Sequence, residues 1–178
     1  MSYPTGYDWL ARAEPLPRVI AEGLALHGTK EVAGPKNNPE ILGWAKEIGV
    51  ASVYTQDSIP WCGAFVAVVC KRAGKPVDNQ PLWARSWADY GDKSPDASLG
   101  DILVFQRPGG GGHVGFYIAE DVSAYHVLGG NQGDAVSIAR IAKSRCIAVR
   151  RPPVKTALPA SAKPYQVAMG GRLSTNEA

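Results

Sequence analysis

Cysteine is scarce in this 178-residue chain: Cys62, Cys70 and Cys146 are all there are, an odd number with no CxxC pair. The three histidines, His27, His113 and His126, lie at no spacing that would join them to those thiols around a metal ion. A disulfide scaffold and a zinc site are therefore not what organises this protein, and no cofactor or metal is expected. The carboxylates Asp92 and Asp96 sit on loops, where solvated turn chemistry is their common role. No apolar run is long enough to span a bilayer, so stable membrane insertion is not expected. The opening "MSYPTGYDWLARAEPLPRV" lacks the basic-then-apolar layout of a signal peptide. Synthesis in the cytoplasm without a visible export signal follows, and any role outside the cell must rest on separate delivery. Charge of one sign is scarce too: the net charge is +3. Arg151, Lys155, Lys163 and Arg172 against Glu177 supply all of it, leaving residues 1–150 formally neutral. That is too little for a nucleic-acid footprint, and no nucleic-acid partner is expected.

What is present suits one domain with a sizeable core. Residues 15–28 read as an amphipathic helix with Val19, Ile20 and Leu24 on one face and Gly28 as its stop. Asn38 is placed to cap a second helix with Pro39 in its first position, carrying Ile41, Trp44, Ala45 and Ile48 as its apolar stripe. A third helix, from about Trp61 to Ala73, is apolar on nearly every face and is expected to be the buried central one. "LWARSWADYG" reads as a short helical segment. After residue 100 the pattern changes to five β-rich runs, "DILVFQ", "HVGFYIAE", "AYHVLGG", "AVSIARI" and "CIAVRR", separated by turn signals. Helices followed by a meander predict an α+β domain over residues 1–152, its helices packed on a five-stranded antiparallel sheet. Residues 153–178 are rich in Pro and Ala without periodicity. They are expected to form a basic tail that orders only against a partner.

The stretch "IPWCGAFVAVVC" places Cys62 where the central helix begins. Unpaired N–H groups at a helix N-terminus favour a thiolate, and the same groups can receive the oxyanion of an acyl-transfer intermediate. Gly63 would allow a substrate close approach. The alternative is that Cys62 is a small buried hydrophobe, which is the better account of Cys70 and Cys146. A base must decide between them. In "RPGGGGHVGFYIAE", glycines ending at Gly112 lead into His113 at the start of a strand. With the following hairpin centred on Val122, His113 faces Asn131, Gly115 faces Gly129 and Tyr117 faces Val127. His113 and Asn131 then share a face, whereas His126 faces Ile118 on the other. A one-residue slip would bring Gln132 or Gly130 opposite His113 instead. An amide oxygen there would fix the tautomer of the imidazole and leave its other nitrogen for the thiol. Tyr54 and Asp57 are cleft candidates, Asp57 being equally suited to cap a helix. Trp61, Trp83 and Trp87 are candidates for groove walls, with core packing expected for at least two of them.

The segments "NPEILGWAKEIG", "DSIPWCGAFV", "LGDILVF", "GHVGFYI" and "LGGNQGDAVSIARI" together resemble the CHAP/NlpC-type cysteine cell-wall hydrolases, CHAP denoting cysteine, histidine-dependent amidohydrolase/peptidase. The chain looks more closely like a phage- and prophage-associated subgroup, the similarity covering roughly residues 16–152. The resemblance implies a papain-like fold with Cys62 as nucleophile, His113 as general base and Asn131 as the third residue. Around these, Tyr54, Asp57, Trp61, Gly63, Gly112 and Trp83 would form the oxyanion site and cleft. It also implies peptidoglycan stem peptide as substrate, cut as an endopeptidase or as an N-acetylmuramoyl-L-alanine amidase. Acyl transfer through the same thiol and a non-catalytic wall-binding or phage structural module are the rival readings. The chain departs from the Asp-Cys-Ser run common in the NlpC group, having Pro-Trp-Cys-Gly. Its tail has no counterpart and is where phage or secretion-system components would engage.

Overall fold

The computed structural model describes residues 3–168 and 172–177. Three α-helices come first: α1 Arg18–Ala25, α2 Pro39–Glu47 and α3 Cys62–Arg72. The Asn38 side chain accepts from the Glu40 N–H at 2.8 Å, and Pro39 needs no partner at the first helical position. Helix α3 is buried from Cys62 through Cys70. Its last turn carries Lys71 and Arg72, where cations favour the negative helix end, and Arg72 pairs with Glu47 of α2 at 2.7 Å.

The strands are β1 Asp92–Lys93, β2 Ile102–Gln106, β3 Gly112–Glu120, β4 Ala124–Gly129, β5 Ser137–Ala142 and β6 Cys146–Arg151. They form one antiparallel sheet in the order β1-β6-β2-β3-β4-β5. Alternation sends Ile102, Val104, Val114, Phe116, Ile118 and Leu128 into the main core with α3. Leu103, Phe105, Tyr117, Val127 and Ile141 fill a smaller cluster on the other face. Burial on both faces explains why these strands read as continuous apolar runs.

The α+β class and the helices-then-sheet order stand, with two differences. The sheet has six strands rather than five, because the exposed pair Asp92–Lys93 joins Arg151 and Arg150. Such a strand rests on backbone hydrogen bonds alone and leaves no apolar alternation to read. Helix α1 is shorter than residues 15–28, while the expected short helical segment is present as the 3-10 helix Ala84–Asp89. Described residues of the segment after Arg151 hydrogen-bond to the domain that precedes them. Leu99 donates to Lys163 at 3.0 Å, and Val167 donates to Glu120 while Glu120 donates to Tyr165, each at 2.9 Å.

Candidate active site

Cys62 is the first residue of α3 and is 3% exposed. Burial pushes its thiol up, against the opposing pull of the Val114, Gly63 and Cys62 N–H groups and the Arg107 charge. Val114 follows His113 in β3. Pairing of β3 with β4 starts only at Phe116 and Leu128, so Val114 has no partner in β4, and its N–H is turned to the thiol. The chain leaves β4 through Gly129 and Gly130. A Cβ on Gly130 would stand 2.6 Å from Phe65 Cβ and 2.8 Å from the Trp61 ring, so only glycine lets this loop lie on the first turn of α3. The thiol therefore occupies the gap where β4 peels away from the strand that carries His113.

His113 is fully buried. Its Nε2 lies 3.0 Å from Gln132 Oε1. The other end of that amide donates to Val127 O at 3.1 Å and to Ser137 O at 2.6 Å, which fixes Oε1 as the atom facing the ring. Nε2 must then carry the proton, and Nδ1 is left as the basic nitrogen. Nδ1 is buried and makes no hydrogen bond among the described residues, including to the thiol. Burial lowers the imidazole pKa to about 4; the Gln132 bond and the Glu177 carboxylate oppose this, while the Arg145 and Arg107 charges add to it. The resting pair is accordingly a neutral thiol and a neutral imidazole, the state that a water-poor site favours.

The expected partner Asn131 is not the amide that reaches the ring. The hairpin register holds at Tyr117 and Val127 and shifts by one residue nearer the turn. But β4 ends at Gly129, and Asn131 adopts a left-handed φ of 58° beyond it. Face alternation stops with the strand, and the amide that reaches the ring belongs to the next residue. His126 pairs with Ala119 rather than Ile118, because a bulge interrupts β3 after Tyr117. It is buried, with Tyr7 Oη 2.6 Å from Nδ1 and Asp121 Oδ2 3.0 Å from Nε2. Both its nitrogens are engaged away from Cys62.

The cleft candidates divide. Tyr54 is buried and donates to Ile59 O at 3.0 Å, bracing the turn before Cys62. Asp57 faces no groove: Oδ2 accepts from the N–H groups of Val32 at 3.0 Å and Asn38 at 2.7 Å, tying the loop before α2 to the loop before α3. Trp61 and Trp87 are core; Trp61 stacks obliquely on Trp44 at 5.7 Å between centroids and donates to Glu31 at 3.3 Å. Trp83 alone of the three is open, at 70% exposure. Gly63 serves packing rather than substrate approach, since a Cβ there would lie 2.2 Å from Pro81 O. Gly63→Ala is expected to cost about 1–3 kcal/mol by overpacking. That lowers the melting temperature by about 2–4 °C per kcal/mol in a thermal melt. At Gly112 a Cβ would meet Arg85 Cγ at 2.8 Å, a flexible neighbour, so this glycine is the less constrained of the two. Sequence reasoning missed Arg107, Arg145 and Glu177, whose charges bear on the pair; each lies in a turn or tail without periodic pattern.

Residues 54–131 match the family model of the CHAP domain. The matched stretch holds Cys62 and His113, ends one residue before Gln132 and is consistent with a CHAP-type cysteine peptidase. The CHAP domain is generally a hydrolase family acting on peptidoglycan. A search of the curated proteins found no match.

Proposed function

We propose that this protein hydrolyses an amide bond in the stem peptides of bacterial peptidoglycan, with Cys62 as nucleophile, His113 as general base and Gln132 orienting the imidazole. The reading is supported by a ring held at Nε2 by Gln132, with a basic Nδ1 that has no partner among the described residues, one residue before Val114, whose N–H is turned to a thiol at a helix N-terminus. The Cys62 S–H proton passes to Nδ1 as sulfur attacks the scissile carbonyl carbon. The Cys62 N–H receives the developing oxyanion. The proton on Nδ1 then goes to the leaving nitrogen as the C–N bond breaks, giving a thioester and a free amine. Water, deprotonated by the same nitrogen, releases the carboxylic acid and restores the thiol. Trp83, exposed next to the Pro81–Leu82 turn that covers Gly63, is the aromatic surface for the glycopeptide.

Digestion of purified peptidoglycan by the wild-type protein tests this. Mass spectrometry of the soluble products is expected to show one new pair of peptide amine and carboxyl ends. A muramic acid freed of L-alanine identifies an amidase, and ends within the stem identify an endopeptidase. Sacculi that bind the protein yet yield no new ends would overturn the hydrolase reading.

A further inference from the structure

The far end of the central helix opens on a cleft that the proposed reaction does not use. Helix α3 starts at Cys62 and ends at Arg72, and the cleft begins at Ala73, about 16 Å along the helix axis from the thiol. Its volume is about 380 Å³, within the range of small-ligand sites. The entry to α1 forms one side, residues 99–101 a second, and residues 151–159 a third. Cys62, His113 and Gln132 do not border it.

Two properties of the lining select a ligand. The first is an apolar wall, in which Pro17, Pro76, Pro153 and Pro159 stand with Leu99 and Leu158. Proline has a fixed φ and no N–H, so this wall attracts little water and keeps its shape before anything binds. Lys75 Nζ donates to Pro153 O at 2.7 Å and pins the third side to the end of α3. The second property is charge. Arg18, Lys75, Arg151 and Lys155 line the cleft against a single carboxylate, Asp101. Arg151 already holds that carboxylate, at 2.9 and 3.0 Å. Arg18 is 68% exposed and only loosely engaged by Glu22, at 3.6 Å. Lys155 has no ion pair among the described residues. The cleft thus joins a dry aliphatic surface to cations that lack an anion.

We propose that this cleft binds a carboxylate-bearing peptide of small aliphatic residues, supplied by a wall strand other than the one being cut. A polyol phosphate would match the cations but has no side chain to cover the proline wall. Holding a second peptide arm keeps the polymer at the enzyme between cuts and raises the effective concentration of bonds at Cys62. That service rests on the function proposed above, whereas binding is measurable without any cleavage. Sedimentation with purified sacculi is carried out in the Cys62→Ala background, with and without Arg18→Gln/Lys155→Gln, which removes two exposed cations. The added pair of substitutions is expected to weaken binding about tenfold at low salt, the difference shrinking as salt rises. Sacculi with carboxyls amidated by carbodiimide and methylamine are expected to bind both proteins equally weakly. Sacculi stripped of phosphate polymers by hydrofluoric acid are expected to bind as untreated ones do. With Cys62 restored, the double substitution should raise KM on sacculi and leave kcat/KM on a soluble stem peptide unchanged. Equal binding of both proteins to untreated sacculi overturns the site. Loss of the difference after hydrofluoric acid also overturns it, making the ligand a phosphate polymer. An equal fall in kcat/KM on the soluble peptide does so too, since the two cations would then act through the fold or the thiol. Weaker binding by the variant, where the wild-type protein cleaves nothing, would leave the cleft standing and remove the hydrolase.

Discussion

Cys62→Ala is expected to abolish peptidoglycan cleavage, with kcat/KM falling by about 10^4-fold or more, because no other described group can form the thioester. Cys70 is pushed up to about 12 by burial and lies two turns deeper in α3, and Cys146 is pushed up to about 11 in β6. Neither thiol can substitute. The structural cost should be small: one buried sulfur is lost, comparable to deleting a methyl group, so about 1 kcal/mol. For a chain of this size that lowers the melting temperature by about 2–4 °C. A thermal melt beside the kinetic assay therefore separates loss of chemistry from loss of fold. Cys70→Ala should give the opposite result, with full turnover and the larger drop in stability. Retention of more than a tenth of wild-type turnover by Cys62→Ala would exclude covalent catalysis through this thiol.

How far the sequence carried depends on the kind of signal. Helix α3 was legible because nine successive buried residues between a Pro-Trp entry and a Gly stop admit little else. The pairing of β3 with β4 was legible because a hairpin centre and a period of two determine which residues face one another. That arithmetic selected His113 over His126 and failed one residue later, at Asn131. Nothing in "LGGNQGD" says that β4 stops at Gly129 and hands the ring to Gln132. Asp57 misled for a related reason. A buried carboxylate upstream of a nucleophile reads as cleft chemistry, whereas its partners are two backbone N–H groups from 19 and 25 residues away. The tail was illegible because its fastening is mostly backbone hydrogen bonding, which any sequence can make, and one ion pair across 32 residues.

His113→Ala and His126→Ala test the register, the lock on the ring and the pH response together. Losing the general base should lower kcat/KM by about 10^2–10^4-fold, measured on the folded fraction well below the melting temperature. Gln132→Ala should follow in kind with a smaller loss, since it frees the ring without removing it. His126→Ala should keep its specific activity and lose stability, because Tyr7 and the Asp121–Arg140 pair are left facing a hole. The pH dependence of stability separates the two further. The folded-state pKa of His113 is about 4, below the 6.5 of an ordinary imidazole. As pH falls from 6.5 toward 4 the unfolded chain takes up a proton that the folded chain refuses, so stability is full above 6.5 and declines below it. The fall from 6.5 to about 4 corresponds to roughly 3 kcal/mol once pH reaches the folded value. His126 is also lowered by burial and adds to the decline in the same direction. Urea unfolding at pH 7.5 and at pH 4.5 should therefore show a clearly smaller loss of stability in His113→Ala than in the wild type. An identical loss in both would mean that the imidazole is charged, or open to water, in the folded protein. The neutral thiol–imidazole pair from which the mechanism starts would then be wrong.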